Sequence, residues 1–247
     1  MTAHGTAVVL LRSTLFALFQ IAVTIPFSVI ALATFPLSLP ARYRVITLWT
    51  RLMMQAAEAI CGIRYRVLGA EALPPAPYIV LSKHQSAWET LAFQLIFPQQ
   101  VWVVKRELLW VPFFGWGLAM LAPIAIDRND RRRALRQMLD QGRDRLARGY
   151  CIVIFPEGTR VAPGARADYQ PGGAWLATKA EARVVPVAHN SGEYWRRNAF
   201  LKYPGTITVS IGAAIDARDL SADELNRRVE EWIESEMGRL AAQSAPA

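Results

Sequence analysis

Residues 150–160 read Tyr-Cys-Ile-Val-Ile-Phe-Pro-Glu-Gly-Thr-Arg, an apolar run that stops in a turn. Apolar and β-branched side chains without polar alternation over 150–155 are typical of a strand buried on both faces. Pro156 ends the hydrogen-bonding ladder, and Gly158 permits a tight turn with exposed amides. Just before this run, residues 130–148 place apolar side chains on one helical stripe, and Gly149 provides a stop. The stretch therefore predicts a helix, a buried strand and a turn.

The same alternation continues on both sides of this stretch. Short apolar or β-branched runs alternate with segments of helical periodicity, and Ser221 with Glu224 forms a capping box for the last helix. We predict an α/β fold with a largely parallel central sheet flanked by helices, and ligands bound beyond the carboxyl ends of the strands. The predicted strands are 78–82, 101–104, 123–127, 150–155, 184–188 and 206–211, and the predicted helices are 42–61, 130–148, 173–181 and 221–242.

The N-terminal region has a different composition. No charged residue occurs between Arg12 and Arg42, a run of 29 residues, whereas one bilayer crossing needs about 20 apolar residues. Prolines interrupt the run, so a single span and two short helices in one leaflet both fit, as do a signal peptide and a core helix. We predict a hydrophobic helical membrane anchor over residues 1–62 and an α/β domain over 63–247. The amphipathic helix 42–61 belongs to the anchor or caps the core.

Composition narrows the classes of partner. The formal net charge of +8 favours anionic partners. The 53% hydrophobic content favours a membrane or a lipid over nucleic acid as that partner. No nucleic-acid-binding module is recognisable, so no nucleic-acid partner is predicted. Two cysteines and three histidines form neither a disulfide framework nor a metal-binding spacing. No metal site and no cofactor are predicted.

The first candidate site lies at the end of the predicted strand 78–82. His84 would stand in the following loop, and Glu89 five positions later would stand in the first turn of a helix. A carboxylate that accepts a hydrogen bond from one ring nitrogen fixes the tautomer and leaves the other nitrogen to take a proton from a hydroxyl. Ser86 and Glu89 also match a capping box, in which Glu89 would bind a backbone amide instead. Ser86 as a nucleophile lacks the G-x-S-x-G elbow.

The second candidate site is the turn 155–160. Exposed amides at Gly158 and the planar fork of Arg160 suit a phosphate or a carboxylate. Glu157 would accept a hydrogen bond from a substrate hydroxyl or hold Arg160 in place. These residues fit either an anion-binding turn or an ordinary surface turn.

Taken together, these segments resemble the glycerolipid acyltransferases, most closely the 1-acylglycerol-3-phosphate O-acyltransferase (lysophosphatidate acyltransferase) family. That family has four ordered sequence blocks, and this chain departs from the first because Glu89 stands where Asp is usual. The matching segments are His84 to Glu89, the Lys105-Arg106-Glu107-Leu108, Pro112–Trp116 and Ile126-Asp127-Arg128 group, Phe155 to Arg160, and Val184-Val185-Pro186-Val187. The segment 188–195 lies outside the blocks and contains His189, a secondary candidate that is more typical of a structural role.

The resemblance implies transfer of a fatty acyl group from acyl-CoA or acyl carrier protein to the sn-2 hydroxyl of 1-acylglycerol-3-phosphate, which makes phosphatidate. His84 would be the general base, oriented by Glu89. The implied location is a membrane, the inner membrane if the source is a bacterium, with the site on its cytoplasmic face. Two alternatives stay open: another lyso-lipid acceptor, such as a lyso-ornithine lipid or a lysophospholipid, and a non-catalytic membrane lipid-binding module. The implied substrate-binding residues are Lys105, Arg128, Glu157, Gly158, Thr159 and Arg160.

Overall fold

A computed structural model describes residues 3–127 and 130–244. Strands and helices alternate through most of this range, as the sequence predicts. The strands are β1 (Ile63–Leu68), β2 (Ile79–Ser82), β3 (Gln100–Lys105), β4 (Ile124–Ile126), β5 (Cys151–Ile154), β6 (Arg183–His189), β7 (Gly205–Ile211) and β8 (Ile215–Asp216). The helices are α1 (Ala3–Ala33), α2 (Leu39–Cys61), α3 (Trp88–Ile96), α4 (Phe114–Met120), α5 (Arg131–Ala147), α6 (Gly172–Lys179), α7 (Ser191–Tyr194) and α8 (Ala222–Ser244), with 3₁₀ turns at Ala70–Ala72 and Arg106–Trp110.

The described strands form one sheet in the order β1-β7-β6-β2-β5-β3-β4, with β8 paired to β6. All neighbours are parallel except β6 with β7 and β6 with β8. Pro186, which cannot donate to a ladder, lies between the part of β6 that pairs with β8 and the part that pairs with β7. The prediction of a largely parallel sheet is confirmed, although β1, β8 and the short helices α4 and α7 were not predicted.

Each face of the sheet is covered by a different set of helices. Alternate side chains of the buried strands point to opposite faces, so Val80 and Val153 join one core cluster while Ile79 and Ile152 join the other. The first cluster packs against α1, α2 and α3, and the second against α5, α6 and α8. This arrangement gives the flanking helices that the sequence predicts. It leaves the carboxyl ends of β2, β3 and β5 on a common edge.

The N-terminal segment is a helical hairpin. Two side-chain contacts show that α1 and α2 run antiparallel: Trp49 Nε1 donates to Thr24 Oγ1 at 3.1 Å, and Cys61 Sγ, at the end of α2, donates to Arg12 O, in the first half of α1, at 3.8 Å. Helix α1 is continuous through Pro26, and its Gly5–Ala33 part is long and apolar enough to cross a membrane, with a mean hydropathy of 2.2. Its exposed apolar residues, which indicate membrane association, include Leu10, Leu11, Leu15, Leu18, Ile21 and Val29.

The hairpin is not detached from the rest of the chain. Phe16 of α1 is fully buried, and its ring packs edge-on against Trp195 with 5.3 Å between centroids. The ammonium of Lys202 lies over both rings, 5.4 Å from Phe16 and 4.9 Å from Trp195. The predicted boundary between the anchor (residues 1–62) and the α/β domain (63–247) therefore stays a prediction. Helix α1 packs against α2, which precedes this boundary, and against Trp195, which follows it.

Candidate active site

His84 lies in the loop that joins β2 to α3. Its Nδ1 is 2.8 Å from Glu89 Oε1, and its ring stacks on Phe155 with 3.9 Å between centroids. The ring is partly exposed and lines a groove beyond the carboxyl ends of the strands. Within the described residues, the other ring nitrogen, Nε2, has no hydrogen-bond partner. One nitrogen is thus engaged by a carboxylate and the other is available to a molecule in the groove.

Glu89, in the first turn of α3, is fully buried. Its Oε1 accepts the amide protons of Gln85 at 2.8 Å and Ser86 at 2.7 Å as well as the Nδ1 hydrogen bond of His84, and its Oε2 accepts the hydroxyl of Ser191 at 2.9 Å. Burial alone would raise the pKa of Glu89, but the neighbouring imidazoles of His189 and His84 and the hydrogen bonds lower that pKa to about 2. The ionised carboxylate of Glu89 therefore both binds His84 and accepts the backbone amides of the loop. Glu89 thus has both of the roles that the sequence allowed, as the partner of the imidazole and as a capping residue.

Glu157 lies in the interior, which differs from the predicted contact with a substrate hydroxyl. Its Oε2 accepts the backbone amide of His84 at 2.8 Å, and its Oε1 is 2.7 Å from Nζ of Lys83. Lys83 is only 1% exposed and also contacts Glu234 Oε1 of α8 at 2.8 Å. Tyr169 donates to the same Glu234 oxygen. Glu157 thus faces the protein and supports the His84 backbone; its side chain neither lines the groove nor pairs with Arg160.

The other residues of the turn do face the groove. Gly158 adopts a left-handed φ of 66°, which favours glycine, and its amide donates to Phe155 O at 3.0 Å. Gly158, Thr159 and Arg160 line the same groove as His84. The Nε atom of Arg160 is buried and has no hydrogen-bond partner within the described residues. The predicted anion-binding turn and the predicted base therefore share one groove.

The other two cationic residues predicted to bind substrate are Lys105 and Arg128. Lys105, at the end of β3, is exposed and lines the groove. Arg128 lies outside the described residues. Arg197, which the sequence did not single out, also lines the groove and donates to the backbone carbonyl of Arg160. Among the described residues, no group of three or more His, Cys, Asp or Glu side chains lies close enough together to hold a metal ion.

The groove has a volume of about 920 Å³ and continues from His84 into an apolar chamber. Helices α1 and α2 contribute Phe27, Ala31, Ile46 and Trp49 to its wall. Further lining residues come from the aromatic segment, which we define as residues 106–118. There Leu108, Phe113, Phe114, Gly117 and Leu118 line the groove, while Trp110 and Trp116 are exposed. A cavity of this size suits a drug-sized or larger apolar ligand with a few fixed polar contacts.

His189 is fully buried and is separated from the groove. Its Nε2 donates to Lys83 O at 2.8 Å, and burial lowers its pKa, so the ring is neutral at neutral pH. This position fits the structural role that the sequence favoured for His189. Three residues of this region were not predicted from the sequence: Lys83, which stands beside His84 in the loop, Ser191 of α7, which contacts Glu89, and Glu234 of α8, which contacts Lys83.

The chain is similar to known proteins in sequence and in fold. The acyltransferase family profile matches residues 64–190. The 1-acyl-sn-glycerol-3-phosphate acyltransferase of Pseudomonas aeruginosa is 45% identical over 205 residues, which cover 81% of this chain and 80% of that protein. The alpha form from Mus musculus is 30% identical over 71% of this chain and 63% of its own length. The crystal structure of the Thermotoga maritima acyltransferase PlsC superposes with a TM-score of 0.80 over 96% of this chain and 98% of that one; at 21% identity it shows the shared fold.

The matched region contains β2, the His84 loop and the turn after β5, so fold and site coincide with the family profile. The chain therefore belongs to the acyltransferase family. Within that family it is a member of the 1-acylglycerol-3-phosphate O-acyltransferases.

Proposed function

We propose that this protein transfers a fatty acyl group from an acyl thioester to the sn-2 hydroxyl of 1-acylglycerol-3-phosphate and so produces phosphatidate for phospholipid synthesis. The observation that carries the proposal is one groove lined by His84, which the buried Glu89 holds from behind, by the Arg160 turn and by apolar side chains. A base, a phosphate-binding cation and room for a hydrocarbon chain are the three elements that this reaction needs. The relatives from Pseudomonas aeruginosa and Mus musculus carry names for this activity.

In the proposed mechanism, His84 Nε2 accepts the proton of the glycerol hydroxyl as that oxygen attacks the thioester carbonyl. Glu89, ionised because its pKa is about 2, holds the tautomer with the proton on Nδ1 and stabilises the imidazolium that forms. Collapse of the tetrahedral intermediate expels the thiolate, which receives the proton from His84. Stacking on Phe155 and the hydrogen bond from the His84 amide to Glu157 keep the ring in one orientation.

The acceptor phosphate is proposed to bind the guanidinium of Arg160, which lines the groove. The planar guanidinium permits two parallel hydrogen bonds to phosphate oxygens. Thr159 and the turn around Gly158 border the same space, and Lys105, which also lines the groove, adds positive charge. Arg128 is proposed, on the basis of the sequence, as a further phosphate ligand.

The proposed location is a membrane surface, with the groove open to the cytoplasmic side, where acyl-CoA and acyl carrier protein are made. The exposed apolar side chains of α1 and the exposed Trp110 and Trp116 of the aromatic segment would lie in the bilayer. Both surfaces border the groove, because Phe27 and Ala31 of α1 and Phe113 and Phe114 of the aromatic segment line it. A lyso-lipid would then reach His84 without leaving the lipid phase.

The experiment uses purified protein in phospholipid vesicles, a radiolabelled acyl thioester and a panel of acceptors. With 1-acylglycerol-3-phosphate, the label is expected in phosphatidate, for acyl-CoA, for acyl carrier protein or for both. Label in an ornithine lipid or another phospholipid alone would reassign the acceptor. Free labelled fatty acid without acceptor would indicate a hydrolase, and lipid binding without transfer would indicate a binding module. His84→Gln, which keeps the size of the side chain but cannot accept a proton at neutral pH, is the inactive control.

A further inference from the structure

Residues 189–192, which we call the bracing segment, contact the His84 loop at three points. His189 Nε2 donates to Lys83 O at 2.8 Å, the amide of Gly192 donates to Gln85 Oε1 at 3.1 Å, and Ser191 Oγ donates to Glu89 Oε2 at 2.9 Å. The segment joins β6 to α7 and is distant in sequence from the loop. The four-block signature of the family does not include it, and the proposed mechanism assigns it no part.

The contact to Glu89 differs from the other two because it reaches a side chain of the proposed catalytic pair. Oε1 of Glu89 already receives three donors, from His84, Gln85 and Ser86. Within the described residues, Ser191 is the only donor to Oε2, and both side chains are fully buried. The Ser191 hydroxyl therefore completes the hydrogen bonding of a carboxylate that has no access to water.

The need for such a contact follows from the length of the glutamate. Glutamate has one more rotatable bond than aspartate, and the last torsion of a carboxylate has a broad energy profile. Donors on Oε1 alone leave the carboxylate plane free to turn about that oxygen. A donor on Oε2 fixes the plane, and with it the direction of the lone pair that meets His84 Nδ1.

We propose that Ser191 is a positioning residue for the reaction: by holding Glu89 Oε2, it keeps Oε1 aimed at His84. This inference rests on the proposed function, because it assigns a role relative to the His84–Glu89 pair. Ser191 does not touch the substrate, since it is buried behind Glu89 and does not line the groove.

The first test is Ser191→Ala in the full-length protein. Loss of a hydrogen bond to a charged group in an active site lowers the rate by about tenfold or more. We therefore expect kcat to fall about tenfold. KM for the acyl thioester and for the lyso-lipid is expected to stay within about twofold, because neither binding surface changes. Ser191→Cys, which fills the same space with a weak donor, should lower kcat in the same way. Ser13→Ala, which removes an equally buried hydroxyl that accepts the amide of Lys202, is the matched control and should leave kcat unchanged.

The second test is a double-mutant cycle with Glu89→Asp. The shorter aspartate, usual in the family, is expected to retain activity without reaching both His84 and Ser191, so adding Ser191→Ala should then cost no more than about twofold. Equal losses in both backgrounds, an unchanged kcat in Ser191→Ala and Ser191→Cys, or a rise in KM alone would each overturn the positioning role. These results are separate from the proposed function. A parent protein that forms no phosphatidate sinks that function, and an active His84→Gln variant sinks the role of His84 as its base. An active parent, an inactive His84→Gln variant and a normal Ser191→Ala variant together sink only this inference.

Discussion

Replacement of Glu89 by glutamine is the change whose effect on stability follows most directly from the structure. The side chains are nearly equal in volume, but glutamine has no charge. The buried carboxylate of the parent chain accepts four hydrogen bonds, from His84, Ser191 and two backbone amides. Glutamine offers one acceptor oxygen and an amide nitrogen that cannot accept, so the buried donors are no longer all satisfied.

The magnitude comes from the pKa of Glu89, which is lowered from 4.5 to about 2. This difference corresponds to about 3 kcal/mol of stabilisation of the folded protein at pH 7. The figure is a ceiling, because His189 adds its attraction only when protonated, and burial lowers its pKa. For a chain of this size, about 3 kcal/mol lowers the melting temperature by roughly 6–12 °C.

The pH dependence gives the sharper test. A carboxylate whose folded-state pKa is depressed stabilises the fold above its unfolded pKa and loses that effect as the pH falls toward the folded value. The difference in melting temperature between the parent and Glu89→Gln should therefore be full at pH 7 and shrink between about pH 4.5 and pH 2. Thermal unfolding in detergent micelles measures it, and Glu58→Gln, which alters an exposed glutamate, is the control. A difference that is equally large at pH 7 and pH 3 would refute the reasoning.

Three other changes have defined outcomes. Glu234→Gln leaves the buried Lys83 with one anionic partner and should lower stability by about 1–3 kcal/mol, whereas Glu230→Gln, on the same helix but paired only with an exposed arginine, should cost under about 0.5 kcal/mol; equal costs would contradict the buried ion pairs. Arg160→Ala should raise KM for the lyso-lipid about tenfold or more with a smaller change in kcat, and an unchanged KM in initial-rate assays would remove its phosphate role. Trp110→Ser should weaken flotation with phospholipid vesicles, and unaltered flotation would place the aromatic segment outside the bilayer.

Local patterns predicted much of the fold. The run 150–155 is apolar without alternation, and it forms β5 at the centre of the sheet. The stripe in 130–148 likewise predicted α5, and the amphipathic pattern in 42–61 predicted α2. β1, with exposed residues at most of its positions, has no such pattern, because it is stabilised by pairing with β7 rather than by burial of its own side chains. The two-residue β8 is too short to give a periodic signal.

The candidate site was predictable only where the chain brings residues together locally. His84 and Glu89 are five positions apart, so a loop followed by a helix turn suffices to join them. Ser191 is 102 positions from Glu89, and Glu234 is 151 positions from Lys83, so only the packing of β6 and α8 on the sheet creates these contacts. The direction of Glu157 was likewise set by Lys83, a buried cation that the sequence shows only as a charge beside His84.

The central claim is that His84 acts as the base for acyl transfer to a lysophosphatidate. The most direct measurement compares initial rates of phosphatidate formation by the parent protein and by His84→Ala at equal amounts of folded protein in phospholipid vesicles. The predicted result is a loss of at least about 100-fold with retained binding to the vesicles. A His84→Ala protein that forms phosphatidate at the parental rate would contradict the claim.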